Sequence, residues 1–192
     1  MVDWELVKRE TDHVGGTNDR SWYHCIMRNS IRYVHTNLVT RDWRRLVRFY
    51  VKVFGCRIEP PERDLKGPWL DRLTAIRDSR VRGAHLVLPG FARNGPTLEI
   101  FQYSRPARSK LARSQPLRSK SRRSKSAPVD APGLRHLAFS ARNVKAVLAR
   151  VEKNGGSRVG EMVSACVEGV GTIEVVYARD PEGNVIEIQK WT

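Results

Sequence analysis

Two stretches of the chain alternate apolar and polar positions with helical period. In Trp43-Arg44-Arg45-Leu46-Val47-Arg48-Phe49-Tyr50-Val51-Lys52-Val53-Phe54, the side chains of Leu46, Phe49, Tyr50 and Val53 fall on one face. Val144, Val147, Leu148 and Val151 do the same further along. Asp42 and Asn143 stand where an N-cap acceptor is needed. Gly55 and the Gly155-Gly156 pair stand where each helix should stop. Strand-like runs surround both helices. Tyr33–Thr40, Cys56–Ile58, Arg82–Leu88 and Thr97–Tyr103 belong with the first, and Leu134–Ser140, Ser157–Val159, Ile173–Tyr177 and Asn184–Lys190 with the second. Pro89-Gly90, Asn94-Gly95-Pro96 and Asp180-Pro181-Glu182-Gly183 supply turns between them.

The pattern is therefore a duplication of a β-α-β-β-β unit, and the offsets agree. His35 precedes Asp42 by seven residues and His136 precedes Asn143 by seven. Asp42 precedes Gly55 by thirteen, as Asn143 precedes Gly156. The expected organisation is a polar N-terminal extension at 1–30, helical at most around Trp4 to Lys8, and a first module at 31–103. A basic low-complexity linker follows at 104–132, and a second module at 133–192. Residues 31–192 together form one domain. The fold class is α+β: two βαβββ modules making a curved, incompletely closed mixed sheet with helices on its outer face.

Charge sharpens the picture of the linker. The net charge is +15 over 192 residues, yet nine basic residues and no acidic one lie between Ser104 and Pro128. Arg-Ser-Lys recurs at 108, 118 and 123 among prolines, a composition too polar to offset its ordering entropy. Residues 130–192 are neutral, and residues 1–30 carry −1. The linker reads as a solvated spacer, with weak, salt-sensitive, non-specific polyanion contact through residues 105–125 as its functional alternative. It lacks interleaved aromatics, so base stacking is not implied. No run of 18 apolar residues exists, so no membrane partner is expected. Cys25, Cys56 and Cys166 form no framework, and with no secretory leader in sight a cytoplasmic location is expected.

Period-two alternation locates the candidate chemistry. His136 shares a strand face with Leu134, Ala138 and Ser140, opposite Leu137 and Phe139. Glu187 lies opposite Ile186 and Ile188, and Glu99 opposite Leu98 and Ile100. The apolar faces suit the helices, which leaves His35, Glu99, His136 and Glu187 on a partly polar concave surface. Carboxylates there need a compensating charge, and two imidazoles with two carboxylates would hold one divalent ion. Ni, Zn, Co, Mn and Fe all suit such donors. Four protein ligands on a six-coordinate ion leave two adjacent positions for a small substrate with vicinal oxygens.

The Tyr-Val-His-Thr-Asn and Leu-Glu-Ile-Phe-Gln-Tyr strands, the Leu-Arg-His-Leu-Ala-Phe strand and the closing Asp-Pro-Glu-Gly-Asn-Val-Ile-Glu-Ile resemble the vicinal-oxygen-chelate superfamily. That group includes glyoxalase I, methylmalonyl-CoA epimerase, extradiol dioxygenases and bleomycin-resistance proteins. Carried over position by position, the resemblance puts the metal ligands at His35, Glu99, His136 and Glu187, and the catalytic base at Glu99 or Glu187. It implies a metal-dependent lyase or isomerase that stabilises an enediolate or enolate during proton transfer. An Fe(II) extradiol-type dioxygenase using His35, His136 and Glu187 is one alternative, and a non-catalytic binding or resistance protein is another. The modules are free to pair within one chain or across a homodimer. No glutathione-binding set is recognisable, and no residue is assigned to an organic cofactor.

The remaining candidates read as structural. His85, beside Leu86 and Val87, is expected to pack, with substrate contact the lesser reading. Cys56 and Cys166 look like small apolar fillers, Trp69 and Phe91 like loop packing, and His13 and His24 like exposed residues of the extension.

Overall fold

The computed structural model describes residues 31–92, 94–104 and 128–192. The N-terminal extension through residue 30 and the Arg-Ser-Lys repeats lie outside the described residues. Residues 31–33 are irregular and exposed, and residues 34–192 form one compact unit.

Two four-stranded mixed sheets make up that unit, and neither closes into a barrel. In the first module, β1 (His35–Val39), helix α1 (Trp43–Phe54), β2 (Arg57–Lys66), a short helix α2 (Pro68–Thr74), β3 (Arg80–Val87) and β4 (Thr97–Ser104) follow one another. Their sheet order is β1-β4-β3-β2, with β1 parallel to β4 and the other pairs antiparallel. The second module has β5 (His136–Ser140), α3 (Val144–Lys153), β6 (Ser157–Val167), β7 (Gly171–Arg179) and β8 (Val185–Trp191), ordered β5-β8-β7-β6 with the same senses.

Both long helices start as their sequences dictate. The Asp42 carboxylate accepts from the Arg45 N–H at 3.0 Å, and the Asn143 amide oxygen accepts from the Ala146 N–H at 2.8 Å. Gly55 takes the left-handed conformation at φ 74°, and its N–H returns to the Val51 carbonyl. The apolar faces of α1 and α3 meet the backs of both sheets in one core. Leu46, Tyr50, Val53, Val144 and Val151 lie there with Leu98, Ile100, Ile186 and Ile188. Phe54 stacks on Phe139 with ring centroids 4.0 Å apart, joining the modules.

The outer strands are longer than their hydrophobic patterns suggest. β2 runs for ten residues but shifts register between Glu59 and Arg63, and β6 runs for eleven with a shift between Val159 and Val163. Pro60 and Pro61 sit inside the first irregularity, where missing N–H donors cost the ladder nothing. Exposure leaves both strands with little apolar alternation to read.

One further short helix joins the two long ones. α2 was not anticipated, and its buried Leu70 packs with Leu65, Val81 and Phe101. Phe101 is two residues from Glu99 on β4, so α2 covers the far end of the face that carries Glu99. Gly83 makes this packing feasible. A Cβ there would lie 2.4 Å from the Phe101 ring and 2.0 Å from the Ile100 carbonyl oxygen.

Candidate metal centre

In the first module, the side chains around Glu99 come from three neighbouring strands. Asn37 on β1 and His85 on β3 are both register partners of Glu99. Asn37 Nδ2 donates to Glu99 Oε2 at 2.7 Å. His85 Nε2 lies 3.0 Å from Oε1, and His35 Nε2 lies 3.6 Å from Oε2. The His85 Nδ1 atom is 3.1 Å from the Thr97 hydroxyl, and the rings of His35 and His85 meet edge to face at 5.7 Å. Burial lowers the His85 pKa most, with the nearby Glu99 charge opposing it, so the imidazole tends toward its neutral form.

Glu187 occupies the equivalent place in the second module. His136 Nε2 lies 3.6 Å from Glu187 Oε2, the same separation as between His35 and Glu99. Its cross-strand partner on β7 is Tyr177, and its β5 partner is Ala138. The His136 and Tyr177 rings are 5.5 Å apart. Desolvation, then the Glu187 charge and a hydrogen bond to that carboxylate, raise the Tyr177 pKa and keep the phenol protonated. The two His side chains are each 39% exposed and the two Glu side chains 13% and 15%, so both pairs are reachable from solvent yet partly desolvated.

Among the described residues, one group of three His, Cys, Asp or Glu side chains has all its ligand atoms within 4.8 Å of one another: His35, His85 and Glu99. His136 and Glu187 form their own pair and are not part of it. Within one chain the structure thus brings the four anticipated ligands together two by two, not as a quartet. It also sets His85, read from the sequence as structural, against both Phe101 and the Glu99 carboxylate. His85 follows Ala84 and precedes Leu86, both in the core, so alternation turns it toward Glu99. The register of β3 on β4, which the sequence does not carry, completes the contact. Asn37 was overlooked, although it lies two residues from His35 on the same strand face.

The Asp180-Pro181-Glu182-Gly183-Asn184 turn has a structural explanation. The buried Asp180 carboxylate accepts from the Glu182 and Asn184 N–H groups, from Asn184 Nδ2 and, at 3.0 Å, from the Tyr50 hydroxyl. Glu182 in turn accepts from the Thr40 hydroxyl at 3.0 Å and Arg41 Nε at 3.0 Å. The turn fastens the loop before β8 to α1 and the end of β1, and so sets the approach to Glu187. Burial raises the Asp180 pKa and also that of Tyr50, where the neighbouring Asp180 charge adds to it.

The duplicated sheets and their His–Glu pairs define a class that a sequence model also finds. Residues 32–188 match the Glyoxalase/Bleomycin resistance protein/Dioxygenase superfamily, and the chain belongs to that family. Its structure is similar to that of a glyoxalase family protein from Bacillus cereus, at 21% identity over 84% of this chain and 94% of that one, with a TM-score of 0.63. A V278E mutant of glyoxalase I from Zea mays matches at 19% identity over 82% of this chain and 44% of that one, with a TM-score of 0.49. A glyoxylase/bleomycin resistance protein/dioxygenase domain from Frankia sp. EAN1pec matches at 18% identity over 85% and 100%, also at 0.49. At 21% identity, the likeness to the Bacillus cereus protein speaks to fold alone. No curated protein matches the chain. Among the described residues, no helix is long and apolar enough to cross a membrane.

Proposed function

We propose that this chain is a divalent-metal-dependent lyase or isomerase of the glyoxalase type, with His35 and Glu99 of one module and His136 and Glu187 of another sharing one ion. The observation that carries this reading is the duplicated His–Glu pair, 3.6 Å apart in each module at register-equivalent positions. Imidazole and carboxylate donors suit Ni, Zn, Co, Mn or Fe. Because the pairs stay apart within one chain, the complete site requires two copies, each offering one module to the other. Exposed Met162, Val163 and Val167 along β6 give such an assembly apolar surface to cover.

A bound ion would act as a Lewis acid toward two neighbouring substrate oxygens. The protein's part is proton movement at the adjacent carbon, and Glu187 is the better-suited base. Glu99 is held by Asn37 and His85, whereas Glu187 has Ala138 in place of Asn37 and one phenol, Tyr177, beside it. A carboxylate with fewer partners moves at lower cost.

A second reading, the Fe(II) dioxygenase using His35, His136 and Glu187, is favoured by the same hydrogen bonds. Asn37 and His85 already satisfy Glu99 without a metal. Oxygen uptake with a catechol, retained in Glu99→Ala, would select it. For the main reading, metal analysis of protein purified without chelators should find one divalent ion per chain in a dimer. A thiohemiacetal or an acyl-CoA should be turned over, and activity should disappear on chelation and return with metal. A metal-free dimer with no reconstitutable activity would refute it.

A further inference from the structure

The geometry points to a three-donor cation site complete within the first module, in which His85 is a metal ligand alongside His35 and Glu99. It rests on the reading that the concave faces carry a metal, and adds a donor outside the duplicated quartet.

The spacing fits an ion. Bonds of roughly 2.1 Å from nitrogen or oxygen put neighbouring ligand atoms about 3.0 Å apart in octahedral and about 3.4 Å apart in tetrahedral geometry. His85 Nε2 and Glu99 Oε1 are 3.0 Å apart, and His35 Nε2 and Glu99 Oε2 are 3.6 Å apart. All three ligand atoms lie within 4.8 Å of one another. The two shorter distances run to different Glu99 oxygens, so one ion would take both carboxylate oxygens or draw the imidazoles toward one of them.

The surroundings hold His85 as a ligand is usually held. With a metal on Nε2, the Nδ1–H would donate to the Thr97 hydroxyl at 3.1 Å, the proton having left the Nε2 that otherwise faces Glu99. Phe101 meets the imidazole edge to face at 5.9 Å, in the space that Gly83 leaves open. Asn37 fixes the other side of Glu99. His35, at 39% side-chain exposure, leaves a way in from solvent.

The second module lacks this set. Tyr177 stands where His85 stands, and Ala138 where Asn37 stands, so it offers one imidazole and one carboxylate. A neutral phenol is a poor ligand for a divalent ion. The cation therefore belongs to the first module, and His136 and Glu187 of a second copy close over an ion already bound.

Cobalt(II) titration of the metal-free full chain, followed by visible absorption and calorimetry, tests this against the two-module reading. His85→Gln keeps a polar side chain that can bond Glu99 but ligates weakly. It should bind cobalt at least about 100-fold more weakly than the parent, a loss at the upper end of what supporting residues alone produce. Its metal-free melting temperature should stay near the parent's. Loss in both His85→Gln and His136→Gln supports both readings. Loss in His85→Gln alone supports the first-module site and removes the two-module reading. Loss in His136→Gln alone overturns the His85 assignment and leaves the quartet standing. If neither variant loses affinity, both ideas fail. If His85→Gln does not fold, nitrogen-15 spectra of the parent's histidines decide. One equivalent of zinc should move His85 Nε2 to the coordinated range with Nδ1 carrying the proton, and an unmoved Nε2 overturns the site.

Discussion

The two modules share a strand order, a register and a His–Glu pair, and differ in what surrounds the carboxylate. Glu99 faces Asn37 and His85 across its two neighbouring strands, and Glu187 faces Ala138 and Tyr177. The first module is also covered near Phe101 by α2, a helix with no counterpart in the second. Duplication thus preserved the backbone that aims the side chains while the side chains specialised. One carboxylate has Asn37 and His85 beside its own histidine, and the other has one phenol beside its own.

The largest consequence should be in catalysis. Glu187→Gln should lower kcat by ~10²–10⁴-fold with metal retained, the range typical of a lost general base. Glu99→Gln should show its loss first as metal released, measured by elemental analysis alongside steady-state rates. Equal behaviour of the two variants would mean that the carboxylates have not diverged.

The comparison can also be turned round. Tyr177→His gives the second module the same three donor types as the first. Because His136 and Glu187 already close over the shared ion, calorimetric titration should then show tighter binding at one cation per chain, and an unchanged affinity would mean that the strand face alone does not make the site.

Backbone packing differs in the same way. Gly83 pairs with Phe101, and its counterpart Val175 pairs with Gln189. A Cβ at 83 meets backbone at 2.0 Å, so Gly83→Ala should destabilise by about 3 kcal/mol, at the upper end of overpacking costs. Val175→Ala, at a partly exposed position, should cost less than about 1.5 kcal/mol. Urea unfolding of both variants measures the difference.

Between the modules, Tyr50→Phe leaves the buried Asp180 short of one donor. It should cost about 1–3 kcal/mol in the same assay. The smallest effect concerns the core of the first module. Burial pushes the Cys56 thiol up from 9.0 to about 12. A raised thiol pKa favours the folded state below 9, and that contribution is lost as pH rises toward 12. Cys56 should therefore cost about 1 kcal/mol of stability by pH 10, a decline that Cys56→Ala lacks. Cys166 is exposed, so a thiol reagent at pH 8 should label it in the native protein and reach Cys56 only on unfolding.

Much of this was legible residue by residue. Helical spacing marked the buried faces of α1 and α3, and Asp42 and Asn143 marked their starts, because caps and amphipathic stripes are local features. Alternation put Leu98, Ile100, Ile186 and Ile188 inside, and so turned Glu99 and Glu187 outward. β2, β6 and α2 were read short or not at all. The strands are exposed and interrupted, and α2 is anchored by one buried leucine that meets its partners only in the folded chain.

What the amino-acid order determined by itself is the duplication, the helices and the facing of each strand, since these follow from periods of 3.6 and 2 along a contiguous stretch. Which side chains stand beside one another depends on register between strands distant in sequence. Hence the contacts of Glu99 with Asn37 and His85, and the separation of the two His–Glu pairs within one chain, were settled only by tertiary structure.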